Sequence, residues 1–296
     1  MSTETVAAVS ALPSVRSLRR RMVRKGSRLL VVFSCAWVLA LLFVAIFANI
    51  LPIASPDVDA GIGVRLPPFQ NWPEFLGTDS LGRSTLSRVI LGARTSLAIG
   101  VLAVLVGMVV GGLLGLLAGY RRAWIDNLIG TFTDAMLAFP ALIFLMALAA
   151  VLGRGVGVLI IGLGAVAIPS FLRVARANAI RFSTREFVHA ARLSGASVGR
   201  ILIKEILPNI VPPMIAYAVI VMAGLIVAES SLSFLGLGVA PPTPSWGGMI
   251  ADGRYDLRAD PALVFVPAAV LFFTVLSFNV LGDAARRRLD VSNSRL

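Results

Sequence analysis

The sequence predicts an all-α integral membrane protein with six transmembrane helices, on three observations. Of its 296 residues 57% are apolar and 14% charged, with a mean hydropathy of +0.89. Soluble domains run at roughly 45–50% apolar and about 25% charged. Six stretches rich in Leu, Ile, Val, Ala and Phe carry no Asp, Glu, Lys or Arg: 29–56, 95–120, 135–153, 155–172, 206–228 and 261–282. Each is long enough, or nearly so, for the roughly 20 helical residues that cross a hydrocarbon core. The net charge of +12 is also unevenly placed. With the N-terminus in the cytoplasm, 20 of the 27 basic residues fall on the cytoplasmic side or at its membrane edge, while the outer segments balance seven basic residues against seven acids. That is the positive-inside distribution, and it puts both termini of an even-numbered bundle in the cytoplasm.

The elements follow in order. Residues 1–28 form a basic cytoplasmic tail with Arg16, Arg19, Arg20, Arg21, Arg24, Lys25 and Arg28. The first helix, 29–51, is longer than the roughly 7–15 apolar residues of a secretory signal core and reads as an uncleaved anchor. An extracytoplasmic segment, 52–94, leads to the transmembrane domain, 95–284. Span two carries Gly107, Gly111, Gly115 and Gly119, one every fourth residue along one face. Such a small-residue stripe lets a second helix approach closely, as a fixed seam or a sliding one. Spans three and four contain Pro140 and Pro169, which predict kinks. Span five opens with Leu207 and Pro208, where a missing N–H is tolerated. A seventh uncharged stretch, 230–251, holds Gly236, Gly238, Pro241, Pro242, Pro244, Gly247 and Gly248, and reads as an external loop after span five. After span six a tail, 285–296, carries Arg286, Arg287, Arg288 and Arg295.

Several function classes drop out. One cysteine, Cys35, leaves no disulfide framework or multi-cysteine metal site. One histidine, His189, leaves no nucleophile–histidine–carboxylate set, and there is no G-x-x-x-x-G-K-[ST] phosphate loop. The positive charge orients spans and does not form one accessible face, so nucleic acid is not a partner. Asp134 in span three and Glu229 in span five are the acids within apolar segments, the starting point for an ion-coupled secondary carrier. They fall toward opposite ends of the bundle, with no histidine and no further acid between them.

The connection from about 174 to 206 is the most informative segment. Phe187, Ala190, Ala191 and Ser194 share one helical face, with Arg185, His189 and Arg192 opposite. Gly195 permits a reversal, and Val198, Ile201 and Leu202 begin a second apolar stripe. A short helix tied to two spans can transmit a push from outside the membrane.

The pattern Ala190-Ala191, Gly195, Leu207-Pro208 resembles the coupling loop of ABC-importer permeases. LGTDSLGRSTLSRVILGARTSL (76–97) and ESSLSFLGLGVAPPTPSWGGM (229–249) are similar to segments of permeases from dipeptide, oligopeptide and nickel importers, the C-type subunit above all. AGY (118–120), Asp126-Asn127 and FNVLGDAARRRLD (278–290) agree. His189 stands where that family has Glu, Glu205 where an apolar residue is usual, and Ser84 where Asp is common. The resemblance implies a type I ABC importer permease in a bacterial inner membrane, importing short peptides, with nickel or another small solute as the alternative cargo. Its implied partners are a second homologous permease, two ATP-binding cassette subunits, an extracytoplasmic binding protein and the lipid bilayer. ATP and Mg would sit on partner subunits, with no cofactor and no enzymatic activity in this chain. Within the coupling loop, 184–200, and at the start of span five, Glu186, Phe187, Ala190, Ala191, Gly195, Leu207 and Pro208 would meet the ATP-binding subunits. Pro241, Pro242, Trp246 and Gly247 would face the binding protein.

Overall fold

The computed structural model describes residues 15–70, 72, 74–121 and 123–293, with side chains placed from 28 to 289 except that of Ala123. Residues 1–14, the side chains of Arg16 to Lys25, and Arg295 lie outside the described residues. The long apolar runs are helical because a backbone without water must satisfy its own hydrogen bonds. Helix α1 (Val15–Phe47) contains a membrane-length stretch, Arg28–Phe47. Its Trp37 donates an indole N–H to Thr274 Oγ1 at 3.2 Å and packs on Phe273, fixing α1 against the last helix.

Helix α2 (Thr85–Arg121) is 37 residues long, about 55 Å at 1.5 Å per residue. It begins ten residues before the expected boundary at 95. Arg88 and Arg94 interrupt the uncharged run, but both are held: Arg88 is buried beside Asp79, and Arg94 donates to Asn49 Oδ1 at 3.1 Å. Ser84 starts the helix by accepting the Ser87 N–H at 3.2 Å, while its own hydroxyl donates to the buried Glu74.

The expected third span is a broken pair. Helices α3 (Ala123–Ala138) and α4 (Ala141–Leu152) meet at 85° around Pro140. Proline lacks the N–H needed to continue α3 and disfavours helical backbone at Phe139 before it. Helix α5 (Val156–Ser183) instead runs unbroken through Pro169. Among the described residues there are thus five helices of spanning length, and six spans if the broken pair counts as one.

Helices α2 and α5 form the most extensive contact in the fold. A Cβ added at Gly107 would lie 2.6 Å from Ala167 Cβ, and one at Gly111 would lie 2.5 Å from the Ile168 carbonyl oxygen. At Gly115 and Gly119 the corresponding distances are 2.4 Å to Leu172 O and 2.7 Å to Ala179 Cβ. Alanines at 167, 175 and 179 answer the glycines from the α5 side, so two backbones touch along about three turns.

Helix α6 (Glu186–Leu193) ends in a left-handed turn at Gly195. The Gly195 N–H donates to Arg192 O and the Ala196 N–H to Ala191 O, both at 3.0 Å, the paired bonds of a glycine-terminated helix. Ser197 then accepts the Arg200 N–H and starts α7 (Val198–Phe234). Residues Ile201–Ile206 of α7 are π-helical, with Leu207 N–H reaching back to Leu202 O. Pro208 has no N–H to offer the preceding turn, and its ring would crowd the carbonyl four residues back, so the turn widens. The same glycine geometry closes α7, with Gly236 N–H on Ser233 O and Leu237 N–H on Leu232 O, both at 2.9 Å.

The expected loop after span five contains α8 (Trp246–Gly253), capped by Ser245 Oγ on the Gly248 N–H at 3.1 Å. Helix α9 (Ala262–Asn293) completes the fold and remains helical past the expected tail boundary at 285.

Candidate functional site

The molecule offers two candidate surfaces at opposite ends of α2. One end of that helix lies under Arg192, whose guanidinium sits 5.1 Å from the Tyr120 ring centroid. At the other, Gly92 lies against Trp246 of α8, 3.3 Å from its Cδ1 on an added Cβ.

At the first end, α6 bridges α5 and α7, and Val188 is its one fully buried residue. Phe187, Ala190, Ser194 and His189 are exposed. Leu193 is 91% exposed, the most solvent-accessible large apolar side chain among the described residues. Glu186 in the first turn and Arg192 in the last complement the helix dipole. A groove beside α6 is lined by Glu186, Phe187, Pro208, Asn209, Pro212 and Pro213, so it joins three of the residues assigned to this loop. Ala190 is exposed outside it, Ala191 is half-buried against the core, and Gly195 closes the helix. Leu207 packs inward against the core, because the π-helical turn rotates it away from the groove. Sequence reasoning missed Leu193, although it continues the stripe from Glu186 and Ala190 at helical spacing.

Beneath this end, Arg176 grips Asp126 through two bonds, Nη2–Oδ2 being 2.6 Å, and ties α5 to α3. Asp134 meets Arg173 at 3.1 Å with both side chains exposed.

The other end is built from the 52–84 segment, α8 and the α8–α9 connection. Thr78 donates to Gly63 O at 2.8 Å and accepts the Leu66 N–H at 3.0 Å, folding the segment on itself. Asp79 accepts from Arg83 Nε at 2.7 Å and lies 3.6 Å from Arg88, while Arg65 pairs with Asp256 at 2.8 Å. The Arg65–Asp256 pair fixes the segment to the α8–α9 connection, and the Asp79 pairs hold it to itself and to α2. Pro241 and Pro242 are exposed, and with Thr243, Arg154, Arg254 and Tyr255 they line an open pocket. Trp246 and Gly247, expected on the receptor-facing surface, are instead buried. The Trp246 indole donates to Val89 O at 3.1 Å, and a Cβ at Gly247 would lie 2.5 Å from Ser230 Cα. An aromatic ring this large is most stable in the seam between α2 and α7, where its N–H finds a partner.

Glu229 is the hub of that seam. It is fully buried, accepts from Ser233 at 2.8 Å and Ser96 at 3.4 Å, and Ser96 in turn accepts the Trp246 backbone N–H at 3.2 Å. The carboxylate therefore ties α2, α7 and α8. Glu229→Gln keeps one acceptor oxygen, for Ser233, and offers Ser96 an N–H to accept in place of an oxygen to donate to, so it is expected to unfold closer to the wild-type temperature than an apolar replacement. Glu229→Leu strands buried hydroxyls, at about 1–3 kcal/mol each, and lowers the unfolding temperature in detergent by several degrees. Equal melting of the two variants would show that the hydroxyls do not depend on this acceptor. Asp134 and Glu229 lie on separate helices with different partners, and no cluster of three acids, cysteines or histidines forms among the described residues.

Four similarities bear on this arrangement. The family described as "Binding-protein-dependent transport system inner membrane component" matches residues 111–292. The glutathione transport system permease protein GsiD of Pectobacterium atrosepticum is 40% identical over 216 residues, covering 73% of this chain and 72% of that protein. Its Escherichia coli counterpart is 40% identical over 256 residues, covering 86% and 84%. Among solved structures, an inward-facing conformation of the MetNI methionine ABC transporter superposes with a TM-score of 0.57 at 19% identity, over 69% of this chain and 96% of that one. That likeness concerns the fold alone.

Proposed function

The chain belongs to the family of binding-protein-dependent transport system inner membrane components, and from that premise we propose that it carries short peptides through an ATP-driven importer. It is a multi-pass inner-membrane permease subunit of an ABC importer, not an ATPase. Peptide cargo is supported by its 40% identity to permeases of glutathione, a tripeptide. Nickel or another small solute is the alternative cargo within the same family. The chain pairs with a second homologous permease, two ATP-binding subunits bind ATP and Mg on their own surfaces, and an extracytoplasmic protein delivers the peptide. Both termini lie in the cytoplasm, as the basic excess favours.

The observation that carries the coupling role is the geometry of α6. One buried residue, Val188, fixes it to the bundle, and an outward face of Phe187, Ala190, Leu193 and Ser194 is exposed among the described residues. Closure of the nucleotide-bound pair pushes this helix, and the groove at Pro208 passes the push to α7. The spans then exchange between two packed arrangements, each favoured by a different ligand state. An ion-coupled carrier using Asp134 and Glu229 gives no role to that face.

The test is uptake of labelled glutathione or dipeptide into proteoliposomes holding the full complex and its binding protein. Uptake is expected to require ATP. Uptake that persists without nucleotide and collapses with the proton gradient would overturn the reading. Gly195→Leu separates coupling from folding. Its φ is +76° with nothing within 4 Å of an added Cβ, so the change strains only the turn, by roughly 1–2 kcal/mol. The variant is expected to assemble and hydrolyse ATP while uptake per ATP falls several-fold; unchanged uptake per ATP would remove Gly195 from the coupling path.

A further inference from the structure

A cleft of about 430 Å³ opens between α5, α7 and α9 toward the α6 end of the bundle. Its lining joins Arg173, Arg181 and Arg286 with Asn178 and Tyr217, and includes no carboxylate. Arg173 is neutralised by Asp134 at 3.1 Å. Arg181 and Arg286 have no acid partner among the described residues, and the Arg181 guanidinium stands 5.9 Å from the Phe182 ring centroid. The Tyr217 hydroxyl likewise has no hydrogen-bond partner among them; its ring is fixed edge-on to Phe171 at 5.5 Å. Asn178 donates an amide N–H to Val174 O at 2.9 Å.

The cleft is graded with depth. Arg181 lies in the last turn of α5, at the end of a spanning helix, where a headgroup region begins. Ala216, Tyr217 and Ile220 lie about 15–20 Å along α7 from Leu207 and line the deeper part with Val174 and Ala177. A wall of this kind suits an apolar chain below and an anion above. Arginine forks match phosphate oxygens in pairs.

We propose that this cleft binds an anionic phospholipid, its phosphate held by Arg181 and Arg286 and one acyl chain lying along Ala216 and Ile220. A basic pocket between spans, at the level of the headgroups, has the chemistry such lipids require. The lipid would bridge α5 and α9, which each pack on α7 and make little contact with one another. The inference rests on the bilayer and on this cleft; it does not depend on which solute is carried.

The full chain is incorporated into nanodiscs of equal phosphatidylglycerol and phosphatidylethanolamine, re-extracted in mild detergent, and its retained lipids are quantified by mass spectrometry. Enrichment of phosphatidylglycerol is expected for the wild type. It should fall at least tenfold in Arg181→Gln/Arg286→Gln, and by less in Arg181→Lys/Arg286→Lys, which keeps the charge without the fork. Arg258→Gln, exposed at the opposite end, should leave it unchanged. Thermal unfolding of each variant controls for folding, and the single Arg286→Gln change, on an exposed residue, provides the reading should the double variant not fold. No enrichment in the wild type, or equal enrichment in the glutamine and wild-type chains, would overturn the proposal. Displacement of the lipid by inorganic phosphate or a dipeptide at millimolar concentration would overturn it too, in favour of a small-anion site.

Discussion

Gly115→Ala is expected to destabilise the folded chain by about 1–3 kcal/mol, the range for an overpacked core site. The new methyl would lie 2.4 Å from Leu172 O, 2.8 Å from Ala175 Cβ and 2.9 Å from Arg176 N. None of these is the end of a flexible side chain, so relief requires α2 and α5 to separate along their length. In lipid no hydrophobic drive restores the contact, because hydrocarbon solvates the parted faces as well as they solvate each other. What is lost is dispersion summed over a long seam, and a small radial gap forfeits much of it. Gly130→Ala and Gly157→Ala are the matched controls. Both positions are helical with nothing within 4 Å of the added atom, and alanine is the better helix former by about 1 kcal/mol. Thermal unfolding in detergent should therefore move down for Gly115 and remain level or rise for the controls. A wild-type melting temperature for Gly115→Ala would mean that the seam is looser than the distances require. Gly112→Ala should be milder, since its 2.6 Å contact is with the mobile Met214 Cε.

That seam was legible in the sequence because it depends only on residue size and period. Its partner was not, since Ala167, Ala175 and Ala179 sit within an apolar run that reads alike from every face. The same distinction holds elsewhere. Spans are written as missing charge, so boundaries blur where a charge is accommodated: Arg88 and Arg94 hid the first ten residues of α2 because Asp79, in the preceding loop, and Asn49, distant in sequence, satisfy them. Pro140 marked a break, but the 85° angle comes from α4 turning away to lie on α5. Helix α8 was hidden by its glycines and prolines. Three of these, at 241, 242 and 244, precede the helix, and Gly247 is needed because Ser230 leaves no room for a side chain. At the candidate site the turn at Gly195 was legible and the anchoring of α6 was not. Val188 lies between the apolar stripe and the charged one, and which neighbour a helix buries is decided by tertiary contact.

That anchoring makes the second large prediction sharp. Leu193→Glu is expected to reduce solute uptake at least tenfold while leaving the permease folded. Leucine at 91% exposure contributes little to the fold, and surface changes away from caps and cores usually stay within about 0.5 kcal/mol. A carboxylate in its place would have to be desolvated by any protein surface closing over Phe187 and Ala190, at a cost of several kcal/mol if unpaired. The loss should appear as failure of the ATP-binding subunits to co-purify, and not as a lower unfolding temperature of the permease itself. Val188→Ala reverses the signature: removing two methylene equivalents from a fully buried site costs the fold about 1–2 kcal/mol and loosens α6 while leaving its outward face intact. If α6 is the coupling element, Leu193→Glu loses the partner and Val188→Ala retains it with less transport per ATP. If α6 merely lies at the headgroups, both variants keep the partner and the transport ratio, because a lone helix at an interface has no second surface to lose.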